Sequence, residues 1–263
     1  MKRRDFIKTA LLATAAATPT LSRATETQPA ATREFYELRL YHLRQGPMLR
    51  RFDDFYRDIA VPAWNRAGVD AVGVFDLTIG PDQPTRYVLL PFKSWAAMNQ
   101  AREKFEADDT VLKSEFANVP ATDPAYLRME NSLLLAFTGV PRLEIPAQVA
   151  AKKARVFELR TYEAHSRKAN QKKVEMFNTG ELEIFRRAGL QPVFFGEALV
   201  GIKLPSLTYM LVFDDMAARD KNWSAFGGDP AWKKLSTTPG YTNAEILTNI
   251  TNVFLRPTGY SQI

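Results

Sequence analysis

Polar and apolar positions alternate along Phe35-Tyr36-Glu37-Leu38-Arg39-Leu40-Tyr41: Tyr36, Leu38 and Leu40 share one side, Glu37, Arg39 and Tyr41 the other. A period of two is that of a β-strand, whose successive side chains point to opposite faces. The pattern returns 121 positions later as Val156-Phe157-Glu158-Leu159-Arg160-Thr161-Tyr162, which signals an internal repeat. The same offset relates Arg66-Ala67-Gly68 to Arg187-Ala188-Gly189 and Phe105 to Phe226, so the repeated unit is of domain size. Asp108-Asp109-Thr110-Val111 stands opposite Asp229-Pro230-Ala231-Trp232, and Tyr87 faces Tyr209 at an offset of 122, a slip that one small indel would explain.

Periodicity between these landmarks predicts the remaining elements. Residues 48–67 read as a helix with Phe52, Phe55, Ile59 and Ala63 along one stripe and Gly68 as its C-terminal cap. Pro62 removes an internal hydrogen bond and should kink that helix or end a segment near Ala60. Residues 69–79 and 86–92 read as a strand hairpin around Gly80-Pro81-Asp82. Ser94 should cap a helix over 95–107, and 132–137 read as a fourth strand. The second unit follows suit, with strands over 155–162, 193–200, 208–213 and 251–255, helices over 168–188 and 216–226, and a helical turn over 229–235. Pro257 reads as the end of the ordered fold.

Each unit therefore has the order β-α-β-β-α-β, the ferredoxin-like pattern. Four strands with two helices on one face leave the other face open to water, which is not a stable end point. Two tandem copies can turn their open faces together, so the expected fold is α+β, two ferredoxin-like repeats in one pseudo-dimeric barrel of about eight strands. Its lumen can hold side chains or one small ligand. If the greasy face of the strands packs on the helices, Glu37, Arg39, Tyr41, Glu158, Arg160 and Tyr162 point into that lumen. They are the candidate ligand-binding residues. The same groups can instead satisfy one another as ion pairs of a polar core.

Composition narrows the chemistry. Hydrophobic residues make up 46% of the 263 and charged ones 24%, ordinary for globular domains. Most of the 17 Phe, 9 Tyr and 4 Trp fall at core positions of the predicted elements. The formal charge is +6, but five cations against one acid in the first 24 residues leave +2 for the rest, so an interaction with nucleic acid loses its support. With no cysteine there is no disulfide, thiolate nucleophile or Cys-bound metal. No Gly-x-Gly-x-x-Gly or phosphate loop is present, so no nucleotide cofactor is expected. The two histidines, His42 and His165, lack a second ligand at metal spacing, and no metal site is expected. Each is a candidate haem ligand or a solvent-facing residue at a strand end.

The N-terminus carries Lys2-Arg3-Arg4-Asp5-Phe6-Ile7-Lys8, a short alanine-rich apolar run and Ser22-Arg23-Ala24, the layout of a secretory signal over 1–24. The apolar run is too short to span a bilayer, so no transmembrane anchor is expected in the mature form. Its Arg-Arg-x-Phe-Ile-Lys order resembles a twin-arginine signal, which implies export to a bacterial periplasm in the folded state. Residues 25–32 read as a linker, 33–139 and 155–257 as the repeats, 140–154 as their connection and 258–263 as a tail.

The repeated Tyr/Phe-Glu-Leu-Arg-x-Tyr strand, the Arg-Ala-Gly triplets and Phe226-x-x-Asp229-Pro230-x-Trp232-Lys233 together resemble the NIPSNAP domain, present twice. The first copy departs from the pattern at 108–111, where Pro and Trp are missing, so the halves need not be equivalent. The resemblance implies a dimeric α/β-barrel fold and a ligand cavity, without a known reaction. Two functions are compatible with it. One is a binding or scaffold protein of the cell envelope, taking a small molecule in the barrel cavity and self-associating as a homo-oligomer. The other is a small-molecule oxidoreductase of the monooxygenase or haem type, as in the wider superfamily. Changing Arg3 and Arg4 together to lysine should hold the precursor in the cytoplasm, as read by fractionation and immunoblotting. Unchanged export would point to the general secretory route.

Overall fold

A computed structural model describes residues 32–263; the predicted signal peptide and residues 25–31 of the predicted linker lie outside the described residues. The first repeat contains β1 (Phe35–His42), α1 (Pro47–Phe55), α2 (Val61–Ala67), β2 (Gly73–Ile79), β3 (Thr85–Phe92), α3 (Trp95–Glu106), α4 (Asp109–Leu112) and β4 (Arg128–Ala136). After α5 (Ala147–Ala150), the second contains β5 (Val156–Glu163), α6 (Arg167–Met176), α7 (Leu182–Arg187), β6 (Gln191–Val200), β7 (Ser206–Phe213), α8 (Met216–Gly228), α9 (Pro230–Ser236), α10 (Asn243–Ile246) and β8 (Asn249–Pro257). Among the described residues no helix is long and apolar enough to cross a membrane.

The eight strands form one closed antiparallel barrel in the order β1-β3-β2-β8-β5-β7-β6-β4. The repeats join through β2 with β8 and β4 with β6, so each supplies the edge partners the other lacks. Cross-strand pairing places Arg39 beside Val88 and Arg160 beside Tyr209. Tyr209 therefore corresponds to Val88 at the constant offset of 121, and the inferred slip at Tyr87 does not exist. Tyr87 belongs to the lumen face and Tyr209 to the outer face.

The two faces are assigned the other way round from the expectation. Tyr36, Leu38, Phe157 and Leu159 point into the lumen with Leu89, Leu134, Met210 and Leu255, and these side chains fill its centre. Glu37, Arg39, Tyr41 and their counterparts lie on the outside of the barrel, beneath the helices. An eight-stranded lumen is just wide enough for side chains, and apolar ones fill it without stranding a charge. The outer face can take polar groups because the helical layer carries their partners.

Helix α1 passes into α2 through a π turn at Tyr56–Ala60, and α6 passes into α7 through another at Phe177–Glu181, 121 residues on. Pro62 sits just past the first, as expected of a helix break. Its counterpart is Glu183, so proline is not what makes the shared irregularity. Each π turn widens the helix by one residue and aims Tyr56 or Phe177 at the sheet beneath.

The strand predicted from Val69 begins only at Gly73, where its start pairs with β3 on one side and takes the C-terminal tail on the other. Gln262 N donates to Val72 O at 3.0 Å, and Thr258 N donates to Val74 O at 3.0 Å. Pro257 is thus not the end of the ordered chain. Ile263 is fully buried in the lumen cluster.

In the second repeat the outer polar face is a closed core. Fully buried Glu158 accepts hydrogen bonds from Arg160 (2.7 Å), Arg219 (2.9 and 3.0 Å), Trp223 Nε1 (2.7 Å) and Asn252 (2.8 Å). Burial opposes the charge, but the hydrogen bonds and charges of Arg219 and Arg160 outweigh it and hold the carboxyl below the ordinary glutamate range. Nearby, Lys173 and Glu181 form a 2.7 Å ion pair at 1% and 2% exposure.

Two outcomes follow. Residues 25–147 expressed alone should self-associate or stay molten by size-exclusion chromatography and near-UV circular dichroism, because their lumen face has lost its cover. A stable monomer would contradict the closed-barrel account. Glu158→Gln should cost about 3–5 kcal/mol in denaturant melts by removing the carboxylate that pairs the buried Arg160, while Arg219 keeps Asp220. Because folding lowers this carboxyl's pKa, its contribution is present above the ordinary value of 4.5 and is lost as pH falls below it. The Gln variant should lack that part of the acid limb.

Candidate functional site

The period of two that sends Leu38 and Leu40 inward places Glu37, Arg39 and Tyr41 under α1, α2 and α3. Arg39 donates from Nε to Glu37 Oε2 at 2.8 Å, and from Nη2 to the same oxygen. The Arg39 guanidinium lies 5.1 Å over the Trp64 ring, which stacks on Phe105 at 4.0 Å. Burial works against the Arg39 charge, but the Glu37 carboxylate bonded to it more than compensates and keeps it protonated. From the π turn, Tyr56 donates its hydroxyl proton to the Tyr41 hydroxyl at 3.0 Å. Burial raises Tyr56 well above the ordinary tyrosine value, so it remains a neutral phenol. Tyr41, an acceptor in that bond, keeps its own proton to donate.

These groups form the floor of a cleft of about 500 Å³ between the barrel and the first repeat's helices. Phe55, Phe105 and Val111 line it from the helices, and Phe116, Pro124 and Tyr126 from the segment leading to β4. Arg51 pins that segment through Glu115 at 2.9 Å and Asp123 at 2.6 Å. Arg39 Nη1 makes no hydrogen bond among the described residues, so the cleft floor presents two donors, Arg39 and Tyr41, inside an aromatic wall.

The second repeat has no such cleft. Trp232, at the position of Val111, packs on Phe226 at 4.3 Å, and the Lys173 ammonium lies 5.6 Å over its ring. Lys173 occupies the position of Phe52, and its partner Glu181 that of Ala60. Tyr162 bonds Tyr209 at 2.8 Å and Arg160 lies 4.8 Å over Trp223, all in the closed core. The six candidate residues therefore do not converge. Glu37, Arg39 and Tyr41 border an open cleft, while Glu158, Arg160 and Tyr162 are enclosed. The missing Trp at 108–111 was the sequence signal for this difference. The wall contributed by residues 113–127 was not anticipated, although Phe116 and Tyr126 stand out there as aromatics in a polar stretch.

Neither histidine lines the cleft. His42 Nε2 is within 3.0 Å of Glu130 Oε1 and 3.2 Å of Arg128, and His165 is exposed beside the α6 N-terminus. These residues do not fit an axial haem ligand in the cleft, and no group of His, Asp and Glu suited to a metal occurs among the described residues.

The NIPSNAP family model matches residues 36–139 and again 157–262. A NIPSNAP-like domain protein from Burkholderia xenovorans is 17% identical over 41% of this chain and 88% of its own, with a TM-score of 0.37. A candidate monooxygenase from Lactobacillus acidophilus NCFM matches 88% of this chain and 97% of its own at 10% identity and a TM-score of 0.53. An anthrone oxidase-like protein matches 87% and 93% at 11% identity and a TM-score of 0.51. Comparison with curated proteins gives no match. The last two structural likenesses extend over nearly the whole tandem and support one α+β barrel fold. With its family model matched twice over most of its length, the chain belongs to the NIPSNAP family and carries two NIPSNAP domains in tandem.

Proposed function

We propose that the protein binds a largely apolar, aromatic small molecule bearing an oxygen acceptor, in the first-repeat cleft and after export to the periplasm. The observation that carries this reading is the pairing of two uncommitted donors, Arg39 Nη1 and the Tyr41 hydroxyl, with an aromatic cleft of about 500 Å³. That volume is within the range of small-molecule sites, which are mostly apolar with a few placed polar groups. The equivalent space in the second repeat is closed by Trp232 and Lys173, so ligand capacity resides in one half. The barrel lumen, where a ligand was expected, is filled at its centre by its own side chains.

Oxidation of a bound aromatic is the second reading. It draws on the names of the two tandem-spanning structural neighbours, a candidate monooxygenase and an anthrone oxidase-like protein. The cleft lining contains no histidine and no carboxylate, and burial keeps Tyr56 protonated, so no side chain there is set up as a general base. Binding is therefore the better supported of the two.

Arg39→Met would strand Glu37 and confuse stability with affinity, so other variants are better tests. A panel of aromatic carboxylates, phenols and quinones should yield ligands by native mass spectrometry. Val111→Trp, which rebuilds the plug of the second repeat, should abolish their binding without lowering the melting temperature. Tyr41→Phe should weaken it about tenfold, the worth of one hydrogen bond. Undiminished binding by Val111→Trp would refute the cleft as the site. Uptake of oxygen with anthrone as substrate, abolished by the same substitution, would favour the oxidative reading.

A further inference from the structure

The lumen face of β1 leads to a different space. Leu38 and Leu40 line a chamber of about 100 Å³ at the barrel end where Ile79, Glu163 and Val200 terminate their strands. Ile263 packs into the lumen near Gly73, toward the opposite end. At depth the wall is aliphatic, from Leu38, Leu134, Leu159 and Val253. Nearer the strand ends it turns hydroxylated, with Thr161, Thr208 and Thr251. Thr161 and Thr208 satisfy each other at 3.0 Å. Tyr87 also lines the chamber, its side chain is nearly all buried, and its hydroxyl has no hydrogen-bond partner among the described residues. Burial, with Glu130 and Asp82 nearby, pushes Tyr87 up to about 12, so it remains a donor.

Two charged residues face the chamber. Glu130 Oε1 is already engaged by Arg128 at 2.8 Å and by His42 at 3.0 Å. Lys203 sits in the loop between β6 and β7, which reaches across the opening. Its Nζ donates to Thr251 Oγ1 at 2.8 Å, and Glu163 stands off at 3.5 Å. The same loop presents Ile202, which lines the opening yet is 69% exposed. An incompletely neutralised ammonium thus guards an aliphatic pocket too small for a fused aromatic ligand. We propose that the chamber binds the chain of a short aliphatic carboxylate, with Lys203 pairing its head group and Ile202 covering the chain.

This site is independent of the first-repeat cleft, since the two use opposite faces of β1. The test is calorimetric titration of the full chain with linear alkanoates from butanoate to octanoate and with the matching 1-alkanols. Affinity should rise about threefold to fourfold per added methylene and then level off as the chamber fills. Lys203→Met should weaken alkanoate binding at least tenfold and leave the alkanols unchanged. Ala198→Phe, which fills the chamber, should abolish both, whereas Val111→Trp should alter neither. Equal alkanoate affinity in Lys203→Met, full binding by a folded Ala198→Phe, or no heat with any alkanoate at millimolar concentration would each overturn the proposal. Should Ala198→Phe fail to fold, Lys203→Met decides it, because that side chain lies on a surface loop and Lys203 carries no structural ion pair shorter than 3.5 Å.

Discussion

Everything in this protein depends on the need to cover both faces of a four-stranded sheet. One repeat covers only its outer face, with its helices. The lumen face is covered when β2 pairs with β8 and β4 with β6, so that the side chains of eight strands fill one another's space. Closure has a second consequence. Every residue of β3 and β7 is buried, so these strands have no solvated face, and the one charged side chain on them, Arg86, is paired with Asp53 and Asp76. Charges on the neighbouring strand must then find partners under the helices. The polar positions of β1 and β5 do so through Arg39, Arg102, Arg160, Arg219 and Trp223.

The two repeats meet that demand unequally. Glu158 is surrounded by donors from β5, α8 and β8, and nothing about it is left to a ligand. Glu37 has Arg39, and Arg102 only at 3.6 Å from a half-exposed side chain. The difference runs through the whole layer. Where the second repeat has Lys173, Glu181 and Trp232, the first has Phe52, Ala60 and Val111, so a buried ion pair and its aromatic cover give way to a stacked ring and an opening. A buried ion pair is weak evidence of net stabilisation, because desolvation consumes much of its attraction. What the Lys173–Glu181 pair does securely is occupy volume that the first repeat leaves open.

Much of this was legible in the sequence because it rests on periodicity. The Glu-Leu-Arg-x-Tyr repeat, the Ser94 cap and the β-α-β-β-α-β order all express local chemistry. Ser94 Oγ does accept from Ala97 N at 3.1 Å. Which face of β1 lies inside was not legible. A period of two separates the faces without labelling them, and here both are buried. Assigning the greasier face to the helices follows the usual half-exposed sheet, but a narrow closed lumen reverses it. The π turns were hidden for a related reason. Pro62 offered a local cause for a break, while the irregularity recurs at Phe177–Glu181 with no proline. The docking of residues 258–263 on 72–74 was equally out of reach, since it joins segments 184 to 190 residues apart.

The reversal of faces bears directly on function. Had Arg39 and Tyr41 pointed into the lumen, they would have met Arg160 and Tyr162 across a barrel just wide enough for side chains. Such a cluster would have had to satisfy itself. Beneath the helices, the same residues face a layer whose cover can differ between repeats without disturbing the shared lumen. A change such as Trp to Val at one position of that layer opens a cleft, while the centre of the lumen remains filled by leucines and phenylalanines from both halves. The fold thereby separates the residues that hold the two repeats together from those whose helical cover differs between the repeats. The separation follows the alternation of a single strand, with Leu38 packed in the shared lumen and Arg39 beneath the first repeat's own helices.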